Sequence, residues 1–165
     1  MSCKSCKEKP VWKFTNKVQL CKNCFCDYFE KKIFAAIRKF NLMPADRIFK
    51  IKKDKDLNTN VLVQVLKSKF QVELSDKPNI KSENLSQIAE NVFSEVLKGN
   101  FNKSKSKIIS PLYYLSNNEI KIYANLKKIK GKSRRENKKI NSLFKKFTEK
   151  NLDLEHNIVN AFNQI

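Results

Sequence analysis

Glycine is almost missing from this chain: Gly99 and Gly131 are the only two in 165 residues, and neither follows a strand-like run while opening a helix-like one. Phosphate-cradling loops need glycines at that junction, so their scarcity excludes the usual mononucleotide and dinucleotide signatures. Histidine occurs once, at His156, between Glu155 and Asn157, and reads as a surface residue. No cysteine lies beyond Cys26, which removes any thiol nucleophile from the remaining chain. With no paired histidines or recognisable carboxylate motif, general acid-base chemistry has little to stand on. No apolar run approaches the roughly 20 residues that span a bilayer, and Met1-Ser2-Cys3-Lys4 is no leader peptide, so the expectation is a soluble, cytoplasmic protein without a membrane partner.

Acidic residues are scarce as well. Sixteen Asp and Glu face 35 Lys and Arg, a formal charge of +19. A field of that sign and size calls for a polyanionic partner, and RNA is the natural one. The densest contribution is Lys127 to Lys139, where Lys127, Lys128, Lys130, Lys132, Arg134, Arg135, Lys138 and Lys139 stand against the single acid Glu136. Such a run either stays extended in solvent or is neutralised by phosphates.

All five cysteines fall within the first 26 residues, as Cys3-x-x-Cys6, fourteen residues, Cys21-x-x-Cys24, and then Cys26. A two-residue spacer lets both thiolates of a knuckle face one ion, and two such pairs complete a tetrahedral set. Two disulfides would use the same sulfurs, but clustering in a reducing compartment favours a metal. Zinc is the expected ion, although spacing alone does not separate it from iron. Four protein ligands leave no open position, which makes the site structural. Val11-Trp12-Lys13-Phe14 and Val18-Gln19-Leu20 predict a hairpin between the knuckles across Thr15-Asn16-Lys17, and Cys26 reads as a packed thiol on the following helix.

Apolar residues at three- and four-residue steps predict a helix from Asn23 to about Asn41, stopped by Met43-Pro44. Arg47–Lys52 alternates as a strand does, Asp56–Asn60 offers caps ahead of a helix over Val61–Leu66, and Phe70–Leu74 predicts a second strand. Ser82 opens a helical pattern with Leu85, Ile88, Ala89, Val92, Phe93, Val96 and Leu97 on one face, closed by Gly99-Asn100. Ile108–Leu115 reads as a strand end and turn before a helix from Asn117 to about Lys128. Ile140, Leu143, Phe144 and Phe147, then Leu152, Leu154, Ile158, Val159 and Phe162, predict one or two closing helices. Trp12, Tyr28, Tyr113, Tyr114 and Tyr123 could stack on RNA bases, but each sits in an apolar pattern that favours packing.

Cys21-Lys22-Asn23-Cys24-Phe25, with Phe29-Glu30, Ile33, Ala36 and Ile37, resembles the N-terminal finger of the ATP-dependent tRNA 2-thiolation family of archaea and the eukaryotic cytosol. The likeness continues collinearly. Pro44-Ala45-Asp46-Arg47-Ile48 looks like the approach to the family's first strand, and Val61–Leu66 like the helix after its pyrophosphatase loop. Ala89 to Asn100 resembles the helix that ends in a basic residue, Gly and Asp. Pro111-Leu112-Tyr113-Tyr114, Glu119-Ile120 and Tyr123-Ala124 match its Lys-Pro-Leu/Phe, Glu-(Ile/Val), Tyr-Ala pattern, while Arg134 or Arg135 and the region from Leu143 to Ile158 resemble its helical tail. The resemblance implies an α-rich α/β architecture: a four-cysteine zinc ribbon with a helix over 1–44, a reduced adenine-nucleotide-hydrolase-like core over 45–130, and a basic helical tail over 131–165.

The departures shape the functional expectation. Where the family carries Ser-Gly-Gly-Lys-Asp-Ser, this chain reads Lys52-Lys53-Asp54-Lys55-Asp56-Leu57, in which Lys55-Asp56 is a relic without its glycines. Where the family carries Gly-His-Asn-x-Asp-Asp, Lys81 to Gln87 keeps only Asn84. The catalytic cysteines have no counterpart. The resemblance therefore implies a shortened, degenerate member: a non-catalytic, zinc-binding, tRNA-binding subunit acting in 2-thiolation of the wobble uridine, beside a catalytic partner subunit and without ATP. An active sulfurtransferase with an atypical loop, and a zinc-ribbon interaction protein of transcription or translation, are the alternatives.

Overall fold

The computed structural model describes residues 2–14, 16–99, 110–133, 138–148, 151 and 153–164. Two short antiparallel strands, β1 (Trp12–Lys13) and β2 (Gln19–Leu20), pair with Trp12 opposite Leu20. Lys17, at φ 65°, sits in the left-handed region where the hairpin reverses. The chain then enters α1 (Lys22–Lys39), whose buried residues Phe25, Phe29, Ile33, Ala36 and Ile37 recur at helical spacing and form one stripe. This helix stops before the predicted proline. Asn41 takes φ 50°, and Leu42 N–H reaches back to the Ile37 carbonyl at 2.9 Å, a left-handed closure that an asparagine tolerates.

Alternation then takes over. In β3 (Ile48–Lys52) Phe49 and Ile51 point inward. Next comes α2 (Leu57–Leu66), and β4 (Gln71–Ser75) returns parallel to β3, with Ile48 opposite Gln71 and Lys52 opposite Ser75. This strand–helix–strand unit is the α/β heart of the molecule. On the other flank of β3, Ile80 bridges Ile51. There Asn79 acts as an extra rung, its side chain accepting from Lys50 N–H at 2.8 Å and donating to the Ile48 carbonyl at 2.9 Å.

Four further helices complete the fold: α3 (Leu85–Leu97), α4 (Asn117–Lys127), α5 (Lys138–Thr148) and α6 (Leu154–Gln164). Each of the first two starts on a side-chain cap. The Asn84 amide oxygen accepts from Gln87 N–H at 2.9 Å, so α3 begins at Leu85, three residues later than the predicted start at Ser82. Ser116 and Glu119 form a reciprocal capping box on α4. One buried cluster runs from Cys3, Leu20 and Cys21 through Phe25, Phe29, Phe49 and Leu62 to Leu112, Tyr123 and Ala124. A smaller one joins Leu85 and Ala89 of α3 to Ile140 and Phe144 of α5 and Val159 of α6.

Several expectations need correction. Residues 110–115 form a turn rather than a strand end, and residues 108–109 lie outside the described residues. The stripe of α3 is buried only in its first half, since Val96 and Leu97 are exposed. The closing segment is two helices with Leu143 and Phe147 exposed, while Leu152 and the Phe162 side chain lie outside the description. Gly99 does take a left-handed φ of 76°. No helix among the described residues is long and apolar enough to cross a membrane.

Candidate functional site

The ribbon gathers four sulfurs. The Sγ atoms of Cys3, Cys6, Cys21 and Cys24 all lie within 4.8 Å of one another, with Cys6 3.3 Å from Cys21 and 3.6 Å from Cys24. Each pair is placed by backbone. The first knuckle is turned by Lys7 at φ 63°, whose N–H donates to the Cys3 carbonyl at 3.1 Å, and Lys4 N–H ties it to the Gln19 carbonyl of β2. The second sits where α1 begins, Cys21 being its N-cap residue and Cys24 lying in its first turn.

The electrostatics of this set suit a cation. Burial works against a thiolate at Cys3, but backbone N–H groups of Cys21, Ser5 and Cys6 outweigh it and bring this thiol down to about 6. The Cys6 and Cys21 sulfurs beside Cys24 oppose a second negative charge, pushing the Cys24 thiol up to about 12. Without a metal, Cys3 and Cys24 are thus pushed in opposite directions. A bound dication removes that conflict by accepting all four as thiolates. Cys26 is buried outside this set, its thiol raised by burial, as the packed-thiol reading expects.

The N-terminus of α2 is the second place where chemistry could reside, because helix N-termini after strands bind anions through free N–H groups. Here two of those groups are taken. Asp56 caps the helix, its carboxylate accepting from Thr59 N–H at 2.6 Å. Leu57 N–H donates to the Lys132 carbonyl at 3.0 Å, and Lys132 N–H donates to the Lys55 carbonyl at 3.0 Å. Asn60 adds a side-chain bond to the Lys130 carbonyl at 2.8 Å. Residues 130–132 thus lie across the helix end as a short parallel rung. Gly131 makes this possible, since a Cβ there would fall 2.7 Å from Leu57 Cα. Asp56 and Lys55 therefore serve as cap and rung. Sequence reasoning missed this closure, although one of only two glycines, standing inside a lysine run, was a visible sign of a close backbone approach.

The basic run divides. Lys127 ion-pairs with Glu30 at 3.3 Å and lies over the Tyr123 ring. Lys128 is the left-handed closure of α4, at φ 56°. Lys130 and Lys132 lend their carbonyls to α2 while their side chains stay exposed, and exposed Lys138 and Lys139 open α5. Arg134 and Arg135 lie outside the described residues. The aromatic residues are absorbed largely by packing. Phe14 meets Tyr28 at 4.8 Å between ring centroids, and Tyr123 stacks on Phe29 at 4.1 Å.

His156 corrects another expectation. It is half-buried rather than a surface residue, and its pKa is lowered by desolvation and by Lys32. Around it α1 and α4 share a polar junction in which the buried Glu119 caps α4 and receives Tyr28 Oη at 3.3 Å and Lys32 Nζ at 3.4 Å. Asn84, buried, also donates to the Asn117 side chain, and Ser86 donates to Glu155 of α6 at 2.9 Å. Asn84 thus caps α3 and clamps it to α4.

No family model matches the chain, and no curated protein matches it. Among solved structures, the chain is similar to the U34-tRNA thiolase NcsA from Methanococcus maripaludis, solved with its [4Fe-4S] cluster. The likeness covers 99% of this chain and 86% of that one, with a TM-score of 0.79 at 10% identity. The two chains share a fold. The architecture is accordingly a helix-rich α/β fold with a four-cysteine cluster near its N-terminus and helices at its C-terminus.

Proposed function

We propose that this protein is a non-catalytic, zinc-binding, tRNA-binding subunit acting in 2-thiolation of the wobble uridine, working in the cytoplasm beside a catalytic thiolase. The carrying observation is the filled N-terminus of α2. A nucleotide-activating loop needs that helix end open to phosphate, and here Asp56 and the Lys132 carbonyl hold the amides of Thr59 and Leu57. Displacing them would place a polyphosphate against the Asp56 carboxylate, two like charges on one helix end. ATP binding is therefore disfavoured, and no thiol beyond Cys26 exists to carry sulfur. The thiolase fold supports the tRNA system as the setting, and the charge of +19 supports RNA as the ligand.

Zinc is favoured over an iron–sulfur cluster by the spacing of the sulfurs. Four thiolates about 2.3 Å from one tetrahedral ion sit about 3.8 Å apart, and the four here lie within 4.8 Å. A multi-iron cluster interposes its own inorganic sulfides and spreads its thiolates further. Cys3, Cys6, Cys21 and Cys24 would hold the ion and fix the ribbon against α1. Exposed Lys130, Lys132, Lys138 and Lys139, with Arg134 and Arg135, would meet phosphates.

The test is direct. Purified protein should bind unmodified tRNA with an affinity that falls steeply as salt rises, and should form no AMP from ATP with tRNA present. AMP formation that disappears in a Lys55→Ala/Asp56→Ala variant would establish an active sulfurtransferase instead. Metal analysis should return one zinc per chain and no acid-labile sulfide.

A further inference from the structure

At the end of the sheet opposite the α2 N-terminus, a pocket of about 420 Å³ is lined by Met43, Asp46, Arg47, Lys69, Phe70 and Gln71. It forms where the link from α1 to β3 meets the link from α2 to β4, so the topology builds it from segments far apart in sequence. Its charges are not balanced. Asp46 is already committed, accepting from Ile48 N–H at 3.1 Å and pairing with Lys50 at 3.5 Å. Arg47 and Lys69 have no acidic partner among the described residues, and Lys69 Nζ instead lies 4.3 Å from the centre of the Phe34 ring. The unspent charge is purely positive.

The apolar wall is equally specific. Phe70 is fixed by edge contacts to Phe49 at 5.2 Å and to Phe34 at 6.2 Å, and its remaining surface faces the pocket beside Met43. Gln71 donates its amide N–H to Glu73, which leaves its amide oxygen to accept. Arg47 itself is held at φ 57°, a conformation that a long side chain adopts only against strain, with its N–H on the Pro44 carbonyl at 3.0 Å. Two cations without an acidic partner among the described residues, a braced aromatic ring and one acceptor match a flat heterocycle carrying a phosphate.

We infer that this pocket binds one phosphorylated nucleoside unit of an unpaired RNA segment, its base against Phe70 and its phosphate between Arg47 and Lys69. The inference deepens the proposed tRNA-binding role and rests on it. A free mononucleotide offers the same chemistry, and the experiment separates the two sources. The metal-loaded full chain is titrated with an oligouridylate carrying a 5-bromouridine, with UMP, with AMP and with inorganic phosphate. The same titrations are run on an Arg47→Gly/Lys69→Gln variant and on a charge-matched Lys9→Gln/Lys13→Gln variant. Arg47→Gly relieves the left-handed strain, so the pocket variant should melt no lower than the parent; Lys69→Gln alone, at an exposed position, serves if it does.

The expected result is about a tenfold loss of oligonucleotide affinity, a salt slope shallower by roughly 1.4 for two lost single-strand contacts, and a photo-cross-link on the peptide containing Phe70. Wild-type affinity and slope in the pocket variant, or an equal loss in the charge-matched variant, overturns the inference. If substituting Lys130, Lys132, Lys138 and Lys139 abolishes tRNA binding while the pocket variant binds normally, the pocket fails and the tRNA reading stands. If tRNA does not bind at all but UMP or AMP titrates with the same dependence on Arg47 and Lys69, the tRNA reading fails and the ligand is the free nucleotide.

Discussion

An ideal Cβ built on Gly131 would meet Leu57 Cα at 2.7 Å and Leu57 N at 2.9 Å, so these two residues touch backbone to backbone. Substituting Gly131→Ala must therefore push residues 130–132 off the end of α2. We expect a loss of about 1–3 kcal/mol, the ordinary cost of overpacking a close contact, read by urea unfolding. Gly99→Ala is the comparison: nothing lies within 4 Å of its Cβ, and its φ of 76° alone sets a cost of about 1 kcal/mol. Equal losses in the two variants would argue against a tight closure at α2.

Metal removal should reach well beyond the ribbon. Cys3, Leu20 and Cys21 belong to the same buried cluster as Phe25, Phe29 and Tyr123, so a chelator or Cys6→Ser should lower the melting temperature of the whole chain. Affinity should also rise with pH. The Cys24 thiol, pushed up to about 12, has to surrender its proton to the metal, and proton release on titration with zinc measures this. A metal-free chain with an unaltered melting curve would contradict the coupling.

His156 gives a pH dependence of defined sign. Burial and Lys32 of α1 hold its pKa below the ordinary value, opposed by Glu119 of α4 and by Asp153 just ahead of α6. The fold therefore favours neutral imidazole. That contribution is complete above about pH 6.5 and disappears as pH falls through the lowered folded value. Replacing His156→Gln should flatten the loss of stability between neutral and mildly acidic pH, and an unchanged slope would exclude His156 as its origin.

Much of this was legible in the residues, for identifiable reasons. The stripe of α1, the alternation of β3 and the paired Cys-x-x-Cys spacings are local periodicities, and local periodicity survives folding. Gly99 likewise declared its own left-handed turn. What stayed hidden depended on contacts distant in sequence. Nothing near His156 in the chain announces Lys32 or Glu119, and nothing near Lys55 announces Lys132. The exposure of Val96 and Leu97 follows from where α5 and α6 happen to cover α3, which a helical pattern cannot state. The Lys127 ammonium looked free because Glu30 lies far away along the chain.

Tyr123 and Glu30 offer a clean measurement of one such distant contact. The phenol donates to the Glu30 carboxylate at 2.7 Å while the ring stacks on Phe29 with planes 11° apart. Tyr123→Phe keeps the stack and removes the bond, for an expected cost of about 1.5 kcal/mol because the acceptor is charged. Tyr114→Phe, whose hydroxyl meets Lys39 at an exposed edge, should cost less than about 0.5 kcal/mol.

Lys128 turns the chain at the close of α4, and everything downstream inherits its direction. Inserting a glycine loop ahead of Leu57 would leave residues 130–132 in place, still seated across the end of α2. Opening that helix end to an anion would thus demand simultaneous edits at two sites more than seventy positions apart. The closure behaves as a two-part latch, held from both ends and hard to release one substitution at a time.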